Sequence, residues 1–295
     1  MKYIDLFEKS KQIARDNNLT QLEVYQRFMF ERILERISVS GYRDNFILKG
    51  GLLLSAMLGI ESRTTRDMDV TIKGIDVSKE KMVNVLNQIL SIDLEDGVKF
   101  KIINITDIRE DDEYGGNKYH IIGKLDNLKV KLEIDISTGD EVTPRELKFE
   151  YISIFDNKKI IIDSYNIETI LAEKIETILR KGKYNARMKD YYDVYFFLHN
   201  MKDEINNADF RSALNNTLIK RESLEYYKDY EIILKEISTY ERINEKWNIY
   251  SKKNKYANGI EFKNVIKLII KFISPRGRFV GARFQHAPIF YFLFT

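Results

Sequence analysis

Two-residue alternation of polar and apolar side chains runs through the first half of this 295-residue chain and stops near residue 164, after which only helical periods remain. Strands confined to one stretch must pair among themselves, and the remainder must pack as helices. The expectation is an α+β chain with an α/β domain over 1–164 and an all-helical domain over 165–295. The length also favours two domains, because single cores stop growing near ~250–300 residues.

The clearest strand is 128–137. Val130, Leu132, Ile134 and Ile136 point one way, while Lys131, Glu133 and Asp135 point the other. Segments 46–48, 67–73, 99–106, 118–124 and 146–154 also read as strands. Thr20 and Glu23 form a capping box ahead of an apolar stripe through Val24, Phe28, Ile33 and Ile37. A helix over 52–58 stops at Gly59, Ser78 caps a helix to 90, Asn166 caps 167–180, and 188–201 is helical. The acidic, Gly-containing loop 107–117 is expected to be exposed.

Composition removes several chemistries. The chain has no Cys, which excludes disulfides, Cys-ligated zinc, iron–sulfur clusters and thiol nucleophiles, and fits a cytoplasmic protein. His120, His199 and His286 fall on separate elements with no HExxH, and neither G-x-S-x-G nor a P-loop motif occurs. The start lacks the apolar core of a secretory signal, and no apolar run approaches the ~18–20 residues of a membrane span. Forty-eight Lys+Arg against 45 Asp+Glu leave +3, a weak global attraction for nucleic acid.

Three constellations carry chemistry. Lys49-Gly50-Gly51 precedes Arg63-Thr64-Thr65-Arg66-Asp67-Met68-Asp69. Carboxylates at i and i+2 of a strand share a face ~6–7 Å apart and can hold Mg²⁺ together. Paired Gly at a helix start lets phosphate approach free N–H groups. Metal, phosphate cradle and Arg describe phosphoryl or nucleotidyl transfer; the plainer alternative is a solvated strand face after a Gly-Gly turn. Glu133 and Asp135 share a polar strand face, where a third carboxylate could take a proton or help hold an ion; alternatively the face is merely solvated, with Lys131 a neighbour. Lys174 lies among carboxylates on a helix and could reach a triphosphate, with Asp190 and Asp193 on neighbouring parts of one helical surface; a surface pair and a helix-dipole charge are the alternatives.

Taken in order, FILKGG (46–51), RTTRDMD (63–69), EIDISTGDEVTP (133–144) and ETILAEKIETIL…ARMKDYYDVYFF (168–197) resemble the AbiEii/AbiGii toxin family, a branch of the DNA polymerase β-like nucleotidyltransferases. The resemblance covers about residues 45–200. It implies a polymerase β-like minimal nucleotidyltransferase mixed sheet with flanking helices, then an all-helical C-terminal lobe. It also implies a bacterial type IV toxin–antitoxin component of phage abortive infection, with a separately encoded antitoxin. The implied activity is Mg²⁺-dependent transfer of nucleotides from NTP to the 3′ acceptor end of tRNA, blocking translation. On that resemblance Asp67, Asp69 and Asp135 would bind metal, and with Lys174 and Asp190 would form the catalytic set. Lys49, Gly50, Gly51, Arg63, Thr65, Arg66, Lys174 and Asp193 would contact NTP. The chain departs from tighter superfamily members in its longer Gly51-to-Asp67 gap and in Gly-Gly for Gly-Ser, a form usual in this branch. A protein hydroxyl or small molecule as acceptor, or an NTP-binding module without turnover, are the other readings.

Lys181, Lys183, Arg187 and Lys189 beside Tyr184, Tyr191 and Tyr192 are a candidate RNA surface or an ordinary solvated corner. Residues 262–295 contain no acid and end in IFYFLFT. That end reads as a nucleic-acid patch, a packing segment or a run-on of non-native sequence, so 275–295 enters no functional inference.

Overall fold

The computed structural model describes residues 3–59, 65–76, 78–108 and 116–274. Arg63, most of the acidic loop 107–117 and the tail 275–295 lie outside the described residues. The chain runs α1 (Tyr3–Asp16), α2 (Gln21–Val39), β1 (Phe46–Lys49), α3 (Gly50–Leu58), β2 (Asp67–Ile72), α4 (Lys79–Leu90), β3 (Val98–Asp107), β4 (Gly116–Leu125), β5 (Leu128–Thr138), β6 (Leu147–Ile152) and β7 (Lys159–Ser164). Helices follow: α5 (Ile167–Lys181), α6 (Met188–Asn200), α7 (Asn207–Lys220), α8 (Leu224–Lys228), α9 (Tyr230–Thr239), α10 (Glu241–Lys253) and α11 (Phe262–Ile273).

The strands form one mixed sheet in the order β3-β4-β5-β2-β1-β7-β6. β1 runs antiparallel to β2 and parallel to β7, while β2 runs parallel to β5. β3–β4, β4–β5 and β6–β7 are antiparallel. The alternation read in β5 is observed: Val130, Leu132, Ile134 and Ile136 are buried, and the residues between them are not. β7 is the strand that sequence reading missed. Its apolar run Ile160-Ile161-Ile162 follows a turn in which Asn157 takes φ 56, and pairing with β1 places it inside the sheet.

The capping box of α2 forms as expected. The Thr20 amide donates to Glu23 Oε2 at 2.9 Å and the Glu23 amide to Thr20 Oγ1 at 3.2 Å. Asn166 caps α5 by accepting from the Thr169 amide at 2.7 Å. Ser78 precedes α4 but makes no side-chain cap bond; Asp76 instead accepts from the Ser78 amide at 2.8 Å.

α2 buries far more than its apolar stripe. Arg27, Glu31, Arg32, Glu35 and Arg36 are all buried with it. Each finds opposite charge: Arg27 with Glu31, Arg32 with Glu35 and Asp156, and Arg36 with Asp96. Glu31 also accepts from the Tyr151 hydroxyl at 3.1 Å, and Arg27 donates to Ser55 of α3 at 2.7 Å. These pairs tie α2 to β6, to the α4–β3 connection and to the helix that begins at the paired glycines.

Buried apolar residues of the sheet and of the later helices belong to one contiguous core. In the helical region, Trp247 donates from its indole to the Ile260 carbonyl at 2.8 Å and packs on Phe262. Among the described residues no helix is long and apolar enough to cross a membrane.

Candidate active site

Strand register gathers the first constellation. Lys49 stands opposite Asp69 across β1–β2, and across the parallel β2–β5 pair Asp69 stands beside Asp135 and Asp67 beside Glu133. Two-residue alternation places these side chains on one face of the sheet. Immediately after Lys49 the backbone turns into α3 at Gly50, with φ 64.

Both glycines are required by close approach. A Cβ on Gly50 would lie 1.9 Å from Asp69 Oδ2, and one on Gly51 2.3 Å from Thr65 Oγ1. The Gly51 amide donates to Asp69 Oδ2 at 3.3 Å, and the Thr65 hydroxyl donates to the Asp67 carboxylate. The result is a bare helix N-terminus directed at a carboxylate pair.

The electrostatics follow from crowding of like charge. Burial and then the charges of Asp67 and Asp135 raise the Asp69 carboxyl to about 6, against the opposing effects of Lys49 and the Gly51 amide. Asp135 is also raised, first by burial, with Lys118 opposing and Asp67 and Glu133 adding to the rise. Lys118 of β4 lies 3.3 Å from Asp135 Oδ1 and 3.0 Å from Glu133 Oε2. The carboxylates are therefore partly countered by Lys49 and Lys118.

Lys49 is held from behind. Its ammonium lies 2.5 Å from Asp140 Oδ2, a side chain with no exposed surface that also accepts from Ser137 at 2.9 Å and Tyr165 at 2.8 Å. Burial works to raise the Asp140 carboxyl, but the charge and hydrogen bond of Lys49 and the two hydroxyl donors hold it below its usual range. Sequence reading assigned no role to Asp140 or Lys118. Asp140 lies inside the quoted 133–144 motif, whereas only the strand register reveals Lys118.

The donor set suits a hard cation. Asp67, Asp69 and Asp135 offer oxygen only, and Asp135 Oδ1 is buried without a hydrogen-bond partner although Lys118 is near. Among the described residues no group of three or more His, Asp or Glu side chains is arranged to hold a metal ion as it stands.

The helical constellation forms a second connected group. Lys174 lies 2.8 Å from both Asp190 Oδ1 and Asp193 Oδ2, and Arg187 lies 2.9 Å from Asp190 Oδ2. Arg66 turns away from β2 and pairs with Glu23 at the start of α2, at 3.1 Å. Of the suggested RNA corner, Tyr191 and Tyr192 are buried in the core and present no stacking face, while Tyr184 is exposed. Lys183 there is paired with Glu236 at 2.5 Å.

Residues 32–265 match the family model described as nucleotidyl transferase AbiEii toxin, type IV TA system. A search of curated proteins finds no match. Among solved structures, JHP933 from Helicobacter pylori is similar at TM-score 0.48 and 14% identity, covering 86% of this chain and 91% of that one. A nucleotidyltransferase-like antigenic protein from Paracoccidioides brasiliensis is similar at TM-score 0.33 and 15% identity, covering 69% and 90%.

Proposed function

The chain belongs to the AbiEii nucleotidyltransferase toxin family of type IV toxin–antitoxin systems, and on that premise we propose that it transfers nucleotides from NTP to the 3′ acceptor end of tRNA in a magnesium-dependent reaction that blocks translation during phage abortive infection. Family membership implies the NTP substrate and an antitoxin partner. The observation that carries the reading is the register of Asp67, Asp69 and Asp135 on adjacent parallel strands, with the paired glycines closing on Asp69.

In this reading Gly50 and Gly51 leave the first amides of α3 open to phosphate oxygens, where the positive helix end adds its attraction. Lys49, fixed by Asp140, contributes positive charge at the same place. Asp67, Asp69 and Asp135 would hold the magnesium ion. When bound, that ion withdraws charge from the phosphates and steadies the leaving pyrophosphate. Asp135, the carboxylate of this group on the neighbouring strand, would take the proton of the acceptor hydroxyl. The hydroxyl oxygen bonds to the α-phosphorus as the bond to pyrophosphate breaks. Lys174 stands ready for the outer phosphates, with Asp190 and Asp193 setting its position.

Incubation with labelled NTPs and deproteinised tRNA, with and without EDTA, tests the reading. Label should enter tRNA only when the metal is free. Label entering only a protein or small-molecule fraction would replace the acceptor, and no label in any fraction would remove the activity.

A further inference from the structure

The solvent face of β3–β4–β5 carries unbalanced positive charge. Cross-strand register places Lys99 opposite Lys124 and Lys124 opposite Lys129, a row of three lysines across three strands. The next row holds Lys101, Ile122 and Lys131. All five lysines are exposed, while the alternate residues Tyr119, Ile121, Val130 and Leu132 are buried beneath them. Among the described residues none of the five is paired with a carboxylate. Like charges directly opposite one another on a sheet repel, so this face is relieved when a polyanion lies over it.

The rows also lead somewhere. Beyond the lysines come Asn104, His120 and Glu133, then Thr106, Lys118 and Asp135, and Asp135 stands beside Asp69. Lys129 and Asp135 are six residue steps apart on β5, which is ~20 Å of extended strand. We propose that this face is an RNA-backbone track, on which the phosphates of the acceptor strand lie across Lys99, Lys101, Lys124, Lys129 and Lys131 while its end reaches the carboxylates. The inference rests on the reading of the acceptor as RNA. A membrane surface fits less well, because interfacial binding calls for aromatic or large apolar anchors and these rows contain no aromatic residue. The track lies on the sheet, apart from the helical corner, where Tyr191 and Tyr192 are buried and only Tyr184 is exposed.

The test is binding without chemistry. Deproteinised bulk tRNA is titrated against the full chain in EDTA with no NTP, from ~50 to ~200 mM salt, using wild type, Asp69→Asn and the triple variant K99Q/K124Q/K129Q. Removing one lysine–phosphate pair lowers the salt slope by about 0.7–0.9, so the triple variant should lose about two units of slope and at least about tenfold in affinity. Asp69→Asn, which removes a negative charge where the RNA end arrives, should bind at least as tightly as wild type. Unchanged affinity and slope in a folded triple variant overturns the proposal. So does lysine-dependent binding to phosphatidylglycerol vesicles or polyglutamate as tight as that to tRNA. Should the triple variant fail to fold, acetylation footprinting of wild type decides: tRNA should protect Lys99, Lys124 and Lys129 over Lys252 and Lys263, and equal protection overturns the track. Transfer failing while lysine-dependent binding persists would remove the nucleotidyltransferase reading alone; transfer persisting without it would remove the track alone.

Discussion

Charge is concentrated in α2 and on the β2–β5 pair inside the sheet, and the two regions handle it in opposite ways. On α2 the ions are buried and alternate in sign, so each guanidinium meets a carboxylate; Arg36, for example, grips both oxygens of Asp96 at 2.8 and 2.9 Å. Across β2 and β5 four carboxylates, Asp67, Asp69, Glu133 and Asp135, share one face, with lysines only at their flanks. Paired buried charge is scaffold, because removing one partner strands the other in a dry interior. Gathered like charge costs stability and is tolerated where a cation and an anionic substrate complete it. The lysine rows of β3–β5 extend the same contrast outward, with one sign of charge left open to solvent.

Variants can break or sharpen that contrast. The largest effect is expected for Asp69→Asn. Loss of a metal-holding carboxylate removes several kcal/mol of transition-state stabilisation, or about 10²–10³-fold in turnover, and label transfer per folded molecule measures it. The unfolding midpoint of the same variant should hold or rise, because a repelling charge has gone; a marked fall would place Asp69 with the scaffold. Arg36→Ala should do the reverse, costing about 3–5 kcal/mol in urea unfolding while the folded fraction keeps its transfer rate.

A pH series sharpens the scaffold side. Burial works to raise the Asp96 carboxyl, but hydrogen bonds from Arg36 and the Val98 amide hold it below its usual value. A depressed acid adds stability that is present above its unfolded pKa of about 3.9 and is lost as pH falls through the folded value. Asp96→Asn should therefore lower the urea midpoint at pH 7 and flatten its fall below about pH 4. An acid limb as steep as wild type would contradict the pairing. The smallest effect is expected for Thr20→Ala, which removes an N-cap hydroxyl worth about 1 kcal/mol and leaves transfer unchanged.

Local pattern made much of this legible. The alternation in β5, the Thr20–Glu23 box and the Gly50-Gly51 start of α3 could be read because each depends on residues a few positions apart. The carboxylate pair Asp67 and Asp69 was legible for the same reason. What escaped depends on register or on distant partners. Lys118 reaches Asp135 only because β4 pairs antiparallel with β5. Arg36 meets Asp96 across sixty residues, so the interior ion pairs of α2 could not be read from the helix's own sequence. Arg66 pairs with Glu23, a partner forty-three residues away that local pattern does not reveal. The lysine rows were invisible one strand at a time and emerge only when three strands are laid side by side.

The most direct test of the central claim is the unfolding midpoint of wild type and Asp69→Asn, each measured with EDTA, with Mg²⁺, and with Mg²⁺ plus a non-hydrolysable NTP analogue. A ligand that binds only the folded state raises the midpoint, by an amount that grows with the logarithm of one plus its free concentration over its Kd. The account predicts that Mg²⁺ with the analogue raises the wild-type midpoint by several degrees and leaves that of Asp69→Asn almost unmoved. A wild-type midpoint indifferent to both, or an equal rise in the variant, would contradict it.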